Sequence, residues 1–124
     1  MMLTPFSFDV LVSQHKGAHQ WVASLLTNEN FTCEVKGDTL AISGRAETPY
    51  AGEYYEKPIV AGNAKPEDVK GKVVLGNLPL KLAALANEVI AIEFDGAPPR
   101  GAEYGVKEME AAGARLAKYV VENV

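Results

Sequence analysis

Residues 72–85, KVVLGNLPLKLAAL, constrain the fold more than any other stretch of this chain. Val73, Val74 and Leu75 form a short apolar run of the kind that buried parallel strands carry. Gly76-Asn77 signals a turn. Pro79 suits a first helical position, where its missing N–H removes no bond. Asn77 or Leu78 then stands at the cap, and Asn77 has the better cap chemistry. Leu80, Leu82, Ala83, Ala84, Leu85 and Ala86 favour a helix that runs to about residue 87. Strand, tight turn and helix in that order make a βα corner. Such corners present free N–H groups and the positive end of a dipole, and open α/β sheets bind phosphates there. The same residues also fit a corner that is only scaffold.

The chain has 124 residues, enough for one domain with its own core. Its formal net charge of -4 gives no broad basic field for long nucleic acid, although a small anion needs only a local pocket. Cys33 is the single cysteine, which excludes an internal disulfide and a thiolate-rich metal site. With no signal-peptide pattern and no 18-residue apolar run, the expectation is a soluble, cytoplasmic protein.

The rest of the chain repeats the strand–turn–helix theme. Residues 6–13, FSFDVLVS, read as a first strand centred on Val10, Leu11 and Val12. A polar turn follows at Gln14-His15-Lys16-Gly17. Residues 18–26 then place Ala18, Trp21, Val22, Leu25 and Leu26 at helical core spacing. Residues 31–35 and 39–43 alternate around Lys36-Gly37-Asp38 and predict a β-hairpin. Residues 45–55 lack a clean period and read as a loop, with Tyr50, Tyr54 and Tyr55 available to pack under it or to stack on a base. Residues 57–61 suggest a short strand, 65–69 a helical turn, and 89–94 a central strand. Asp95 to Tyr104 is a breaker-rich loop with Pro98 and Pro99. Residues 105–121 then carry Val106, Met109, Gly113, Leu116 and Val120 three and four apart, which predicts a last helix.

Three helices around a mostly parallel sheet, with residues 31–55 as a hairpin and loop insertion, make the expected fold α/β, a small Rossmann-like three-layer domain. Right-handed crossovers would open the turns after Ser13, Leu75 and Phe94 on one sheet edge. In the first turn Lys16 supplies a point charge to a phosphate, and His15 a donor or an acid near neutral pH. Gly17 allows close backbone approach, and His19 lies one turn further along the same helix. In the third turn Arg100 suits a bidentate phosphate clamp. Asp95 suits a ribose hydroxyl, or a restraint on Arg100. There is no GxGxxG, Walker loop or GxSxG, and His15 with His19 is a weak metal signal, so no metal and no cofactor are expected. Phosphodiester cleavage of RNA can proceed with the substrate's own 2′-hydroxyl as nucleophile. The protein then supplies orientation and positive donors, which these residue types permit.

Three motifs carry a resemblance. VSQHKGAHQW is similar to the opening V-S/T-R-H-x-G-A-x-x-W of a family of small CRISPR-associated accessory proteins from type III loci. VVLGNLPLKLAA resembles that family's V-I-G-T/N-L-P-x-x-L-A-A. AIEFDGAPPRGAEYGVKEMEAAGARLAKYVV resembles its strand, its D-x-P…RG-E-L loop and its E-x-x-x-x-G-A-R-L helix. The resemblance covers the first quarter of the chain and most of the second half. It points to Ser13, His15, Gly17, Trp21, Gly76, Asn77, Leu78, Pro79, Asp95, Arg100, Gly101, Gly113, Arg115 and Leu116. Of these, Trp21, Pro79 and Leu116 are expected to be architectural. The family is placed with ring nucleases, small dimeric proteins of CARF-like fold. These bind and linearise cyclic oligoadenylate, chiefly cyclic tetra-adenylate, and so switch off antiviral signalling.

The resemblance thus implies a homodimer that is a metal-independent phosphodiesterase. His15, with Lys16 from the reading of the first turn, is expected to be catalytic, and Ser13, Gln14 (again from that turn), Gly17, Gly76, Asn77, Leu78, Asp95 and Arg100 are expected to hold the ligand. Gln14 stands where the family has arginine, and the region 28–55 is longer than the family pattern. A binder without turnover and a protein-interaction module are the alternatives.

Overall fold

The computed structural model describes residues 2–98 and 104–124. These form seven strands and four helices. They are β1 (Val10–Val12), α1 (Lys16–Leu26), β2 (Phe31–Lys36), β3 (Thr39–Gly44), β4 (Tyr54–Val60) and α2 (Pro66–Val69). There follow β5 (Val73–Gly76), α3 (Leu80–Ala83), β6 (Glu88–Phe94), α4 (Val106–Ala111) and β7 (Ala114–Tyr119). One mixed sheet holds all seven strands in the order β2-β3-β4-β1-β5-β6-β7. The pairs β1–β4, β1–β5 and β5–β6 are parallel. The pairs β2–β3, β3–β4 and β6–β7 are antiparallel. The expected mostly parallel sheet is therefore a mixed one, with parallel pairing confined to its centre.

Alternation along the central strands explains why both faces are covered. Leu11, Leu75, Ile90 and Ile92 join Trp21, Val22 and Leu26 of α1 and Met109 of α4 in the larger core. Val10, Val12, Val74 and Val89 point the other way and pack with Val69 of α2 and Ala83 of α3. A strand buried on both faces has to be apolar at every position, which is the run seen at Val10–Val12.

The hairpin is the expected one, and it lies at the edge of the sheet. Its turn pairs Lys36 with Thr39 around Gly37 at φ 59°, the two-residue connection that suits twisted strands. It extends the sheet through β4, which begins at Tyr54, inside the stretch read as loop.

Two helices differ from the sequence reading. The helix expected after Pro79 is a single turn. Gly71 N–H donates to Leu85 O, and Asn87 N–H donates to Lys72 O. These two bonds return the chain to the base of β5 and start β6 at Glu88. The helix expected over 105–121 stops at Ala111, and the chain continues as β7. Gly113 lies at φ 74°, the left-handed conformation that ends helices, and its N–H donates to Glu110 O. Beyond it the period becomes two. Ala114 and Leu116 turn to the larger core, while Arg115 and Tyr119 face outward beside Glu93 of β6. The three-and-four spacing across Gly113 combined a helical half with a strand half.

Candidate functional site

The chain leaves β1 through α1 toward β4 on one side, then crosses by α2 to β5 on the other. The strand order therefore reverses between β1 and β5. At such a switch point the two following loops diverge to opposite faces, and a crevice opens outside the carboxyl ends of the strands. The loops concerned are Ser13–His15 and Asn77–Pro79. The turns after Ser13, Leu75 and Phe94 do open on one edge, because β1, β5 and β6 are parallel.

The crevice has two lobes. On the α1/α4 side a cavity of about 280 Å³ is lined by Ser13, Gln14, His15, Gly76, Phe94 and Tyr104, among others. On the α2/α3 side a second cavity of about 290 Å³ is lined by Ser13, Gln14, Asn63, Leu78, Pro79 and Leu82, among others. Ser13, Gln14 and Asn77 border both.

The β1–α1 turn is held from within. His15 caps α1 in an extended conformation, and its N–H donates to Ser13 Oγ at 3.2 Å. His19 is buried, and its Nε2 lies 2.6 Å from Ser13 O. A carbonyl only accepts, so His19 carries its proton on Nε2 and acts as a brace under the turn. Gln14 and Lys16 are exposed, and Lys16 borders cavities on either side of the α1 N-terminus. His15 is half-buried, with its ring centroid 4.9 Å from that of Tyr104. Burial raises the Tyr104 phenol above the usual tyrosine range, so it is a neutral hydroxyl at physiological pH. Gly17 sits where a Cβ would lie 1.9 Å from Tyr104 O. Its missing side chain thus admits the Tyr104 backbone.

The β5 loop is equally constrained. Gly76 lies at φ 134°, and a Cβ there would fall 2.0 Å from Val12 O. Asn77 completes the strand with its side chain. Its Nδ2 donates to Ile92 O at 3.0 Å, and its Oδ1 accepts from Ile92 N–H at 2.8 Å. The amide imitates a backbone unit and prolongs the β5–β6 ladder by one step. Leu78 is half-buried and Pro79 caps α3.

Asp95 stands apart from this crevice. Its Oδ1 accepts from Arg115 Nε at 2.8 Å, and Arg115 also reaches Glu93 at 3.2 Å. These carboxylates raise the Arg115 guanidinium above its usual range, the Asp95 hydrogen bond most of all. Among the described residues Arg115 is thus a partner of Asp95. Arg100 and Gly101 lie outside the described residues. In β2 of the hairpin flank Cys33 is half-buried, and burial, with Glu34 adding to it, pushes its thiol up to about 11. It is not a thiolate nucleophile near neutral pH.

Two participants escaped the sequence reading. Tyr104 meets His15 from 89 positions away, a pairing that no local period encodes. Asn63 was legible in principle. Its strand, β4, runs parallel to β1, so the turn after it reaches the same edge as the other three. Among the described residues no group of three or more His, Cys, Asp or Glu side chains is arranged to hold a metal, and no helix is long and apolar enough to cross a membrane. Comparison with family models, curated proteins and solved structures gives no match to this chain.

Proposed function

We propose that this protein is a ring nuclease of the type III CRISPR response. It binds cyclic oligoadenylate, chiefly cyclic tetra-adenylate, at the β1/β5 edge and opens the ring without a metal. The observation that carries the reading is the meeting of VSQH and GNLP, the two N-terminal-side motifs of the family resemblance, around one crevice at a switch point. The sheet centre, with helices on both faces, agrees with the Rossmann-like, CARF-like form of such proteins.

In this mechanism the ligand is held with one 2′-hydroxyl in line with its neighbouring phosphorus. The 2′-oxygen bonds to phosphorus and loses its proton to water. The bond from phosphorus to the 5′-oxygen breaks, and His15 donates a proton to that oxygen. The products end in a 2′,3′-cyclic phosphate and a 5′-hydroxyl. Lys16 faces the phosphate as a point charge. Ser13, Gln14, Gly76 and Leu78 shape the crevice, and Tyr104 restrains the His15 ring. Asn77 and Gly17 act indirectly, one by fixing the β5 loop on β6 and the other by seating Tyr104. In this reading a symmetric ring spans the two-fold axis of a homodimer, each copy offering both lobes.

Gln14, in the place of the family's arginine, favours a second reading, in which the protein retains the messenger without cleaving it. Incubation with a large excess of cyclic tetra-adenylate in EDTA separates the two. Many turnovers to a linear product support the enzyme, and recovery of intact ring supports the binder. His15→Ala is expected to lower the cleavage rate by about 10²-fold or more while leaving binding within a few-fold. Unchanged cleavage removes His15 from the mechanism.

A further inference from the structure

We propose that the lobe on the α2/α3 side is a purine-base subsite in which Asn63 reads adenine; this rests on the nucleotide reading above. The lobe has the make-up of a base pocket. Leu78, Pro79 and Leu82 give an apolar wall, and Gly62 and Ala64 bring the chain past it without bulk. Its volume of about 290 Å³ sits at the bottom of the range for ligand pockets, roughly 300–1,000 Å³, and suits one base rather than a ring of four nucleotides.

The two asparagines at its border differ in a way that assigns the reader. The Asn77 amide has both its arms on Ile92. The Asn63 amide is exposed and makes no hydrogen bond among the described residues. A primary amide presents one donor and one acceptor side by side. Adenine presents the complement, an N6 donor beside the N7 acceptor, whereas a 6-oxopurine presents two acceptors. On this N7 edge, the one Asn63 is proposed to read, one orientation of the amide satisfies adenine twice and a 6-oxopurine once. The lobe beside His15 takes the neighbouring nucleotide. Two lobes in each of two copies then give four positions, matching a four-membered ring.

Calorimetry with cyclic tetra-adenylate and cyclic tetra-inosinate, on the wild type and on Asn63→Ala, tests this. The wild type is expected to prefer the adenylate ring by at least about ten-fold. Asn63→Ala is expected to weaken adenylate binding by a similar factor and to bind both rings alike, with an unchanged melting temperature. Equal binding of the two rings by the wild type overturns the proposal. So does an Asn63→Ala protein that keeps the wild-type affinity and preference. Failure of the wild type to bind either ring overturns the nucleotide reading itself, and this subsite with it.

Discussion

The centre of the sheet and its hairpin flank solve the same packing problem differently. At the centre β1 and β5 are parallel, covered on both faces, and end together. In the flank β2 and β3 are antiparallel and bury one face, with Phe31, Cys33 and Val35 inward and Thr32, Glu34 and Lys36 exposed. Parallel pairing collects successive loops at one edge, where side chains distant in sequence can meet. Antiparallel pairing sends its turns to alternate ends. The candidate site thus falls in the centre, and of the flank only the β2–β3 turn reaches that edge, where Gly37 and Asp38 share a cavity with Gln14 and Lys16.

Equivalent substitutions in the two regions sharpen this contrast. Gly76→Ala is expected to have the largest effect, about 3 kcal/mol or more of lost stability in urea titration, because the added Cβ meets the Val12 carbonyl and the positive φ resists a side chain. Asn77→Ala comes next, at about 2 kcal/mol, since it removes both partners of the Ile92 peptide at the end of the ladder. Gly37→Ala, in the flank, also places a side chain at positive φ, but nothing lies within 4 Å of the new Cβ. Its cost is the conformational one alone, about 1 kcal/mol, and Gly37→Asn is expected to recover most of it. Equal losses for Gly76→Ala and Gly37→Ala would break the comparison.

A last effect, a decline absent at neutral pH and seen only in alkali, belongs to Cys33. Its thiol is raised from 9.0 to about 11 in the folded protein, so the unfolded chain loses this proton first. The contribution is fully present below pH 9, and stability declines as the pH rises from about 9 to 11. Cys33→Ala is expected to flatten that part of the alkaline decline in thermal melts. An identical decline in the variant would show that the thiol does not contribute.

The comparison also explains what was legible. The apolar run at Val10–Val12, the βα corner at Gly76 and the alternation of the hairpin follow from local period and turn chemistry, and each is found. The length of α3 was hidden because it is set by bonds from Gly71 and Asn87 to residues of neighbouring segments. Strand β7 was hidden because Gly113 joins two periods into one apparent helical stripe. At the site, the turn residues were visible as types, but their duties were not. Asn77 has good cap chemistry and serves instead as a rung of the sheet. Asp95 was legible as a ligand or restraint type, but its bond to Arg115 across the β6–β7 pair was not.

Amide hydrogen exchange with and without saturating cyclic tetra-adenylate tests the central claim most directly. The account predicts slowed exchange in the segments containing Ser13–Lys16 and Gly76–Leu78, and no change in the β3–β4 connection around Gly52, which lies at the other end of the sheet. Protection of that connection with no protection of the two loops would contradict it.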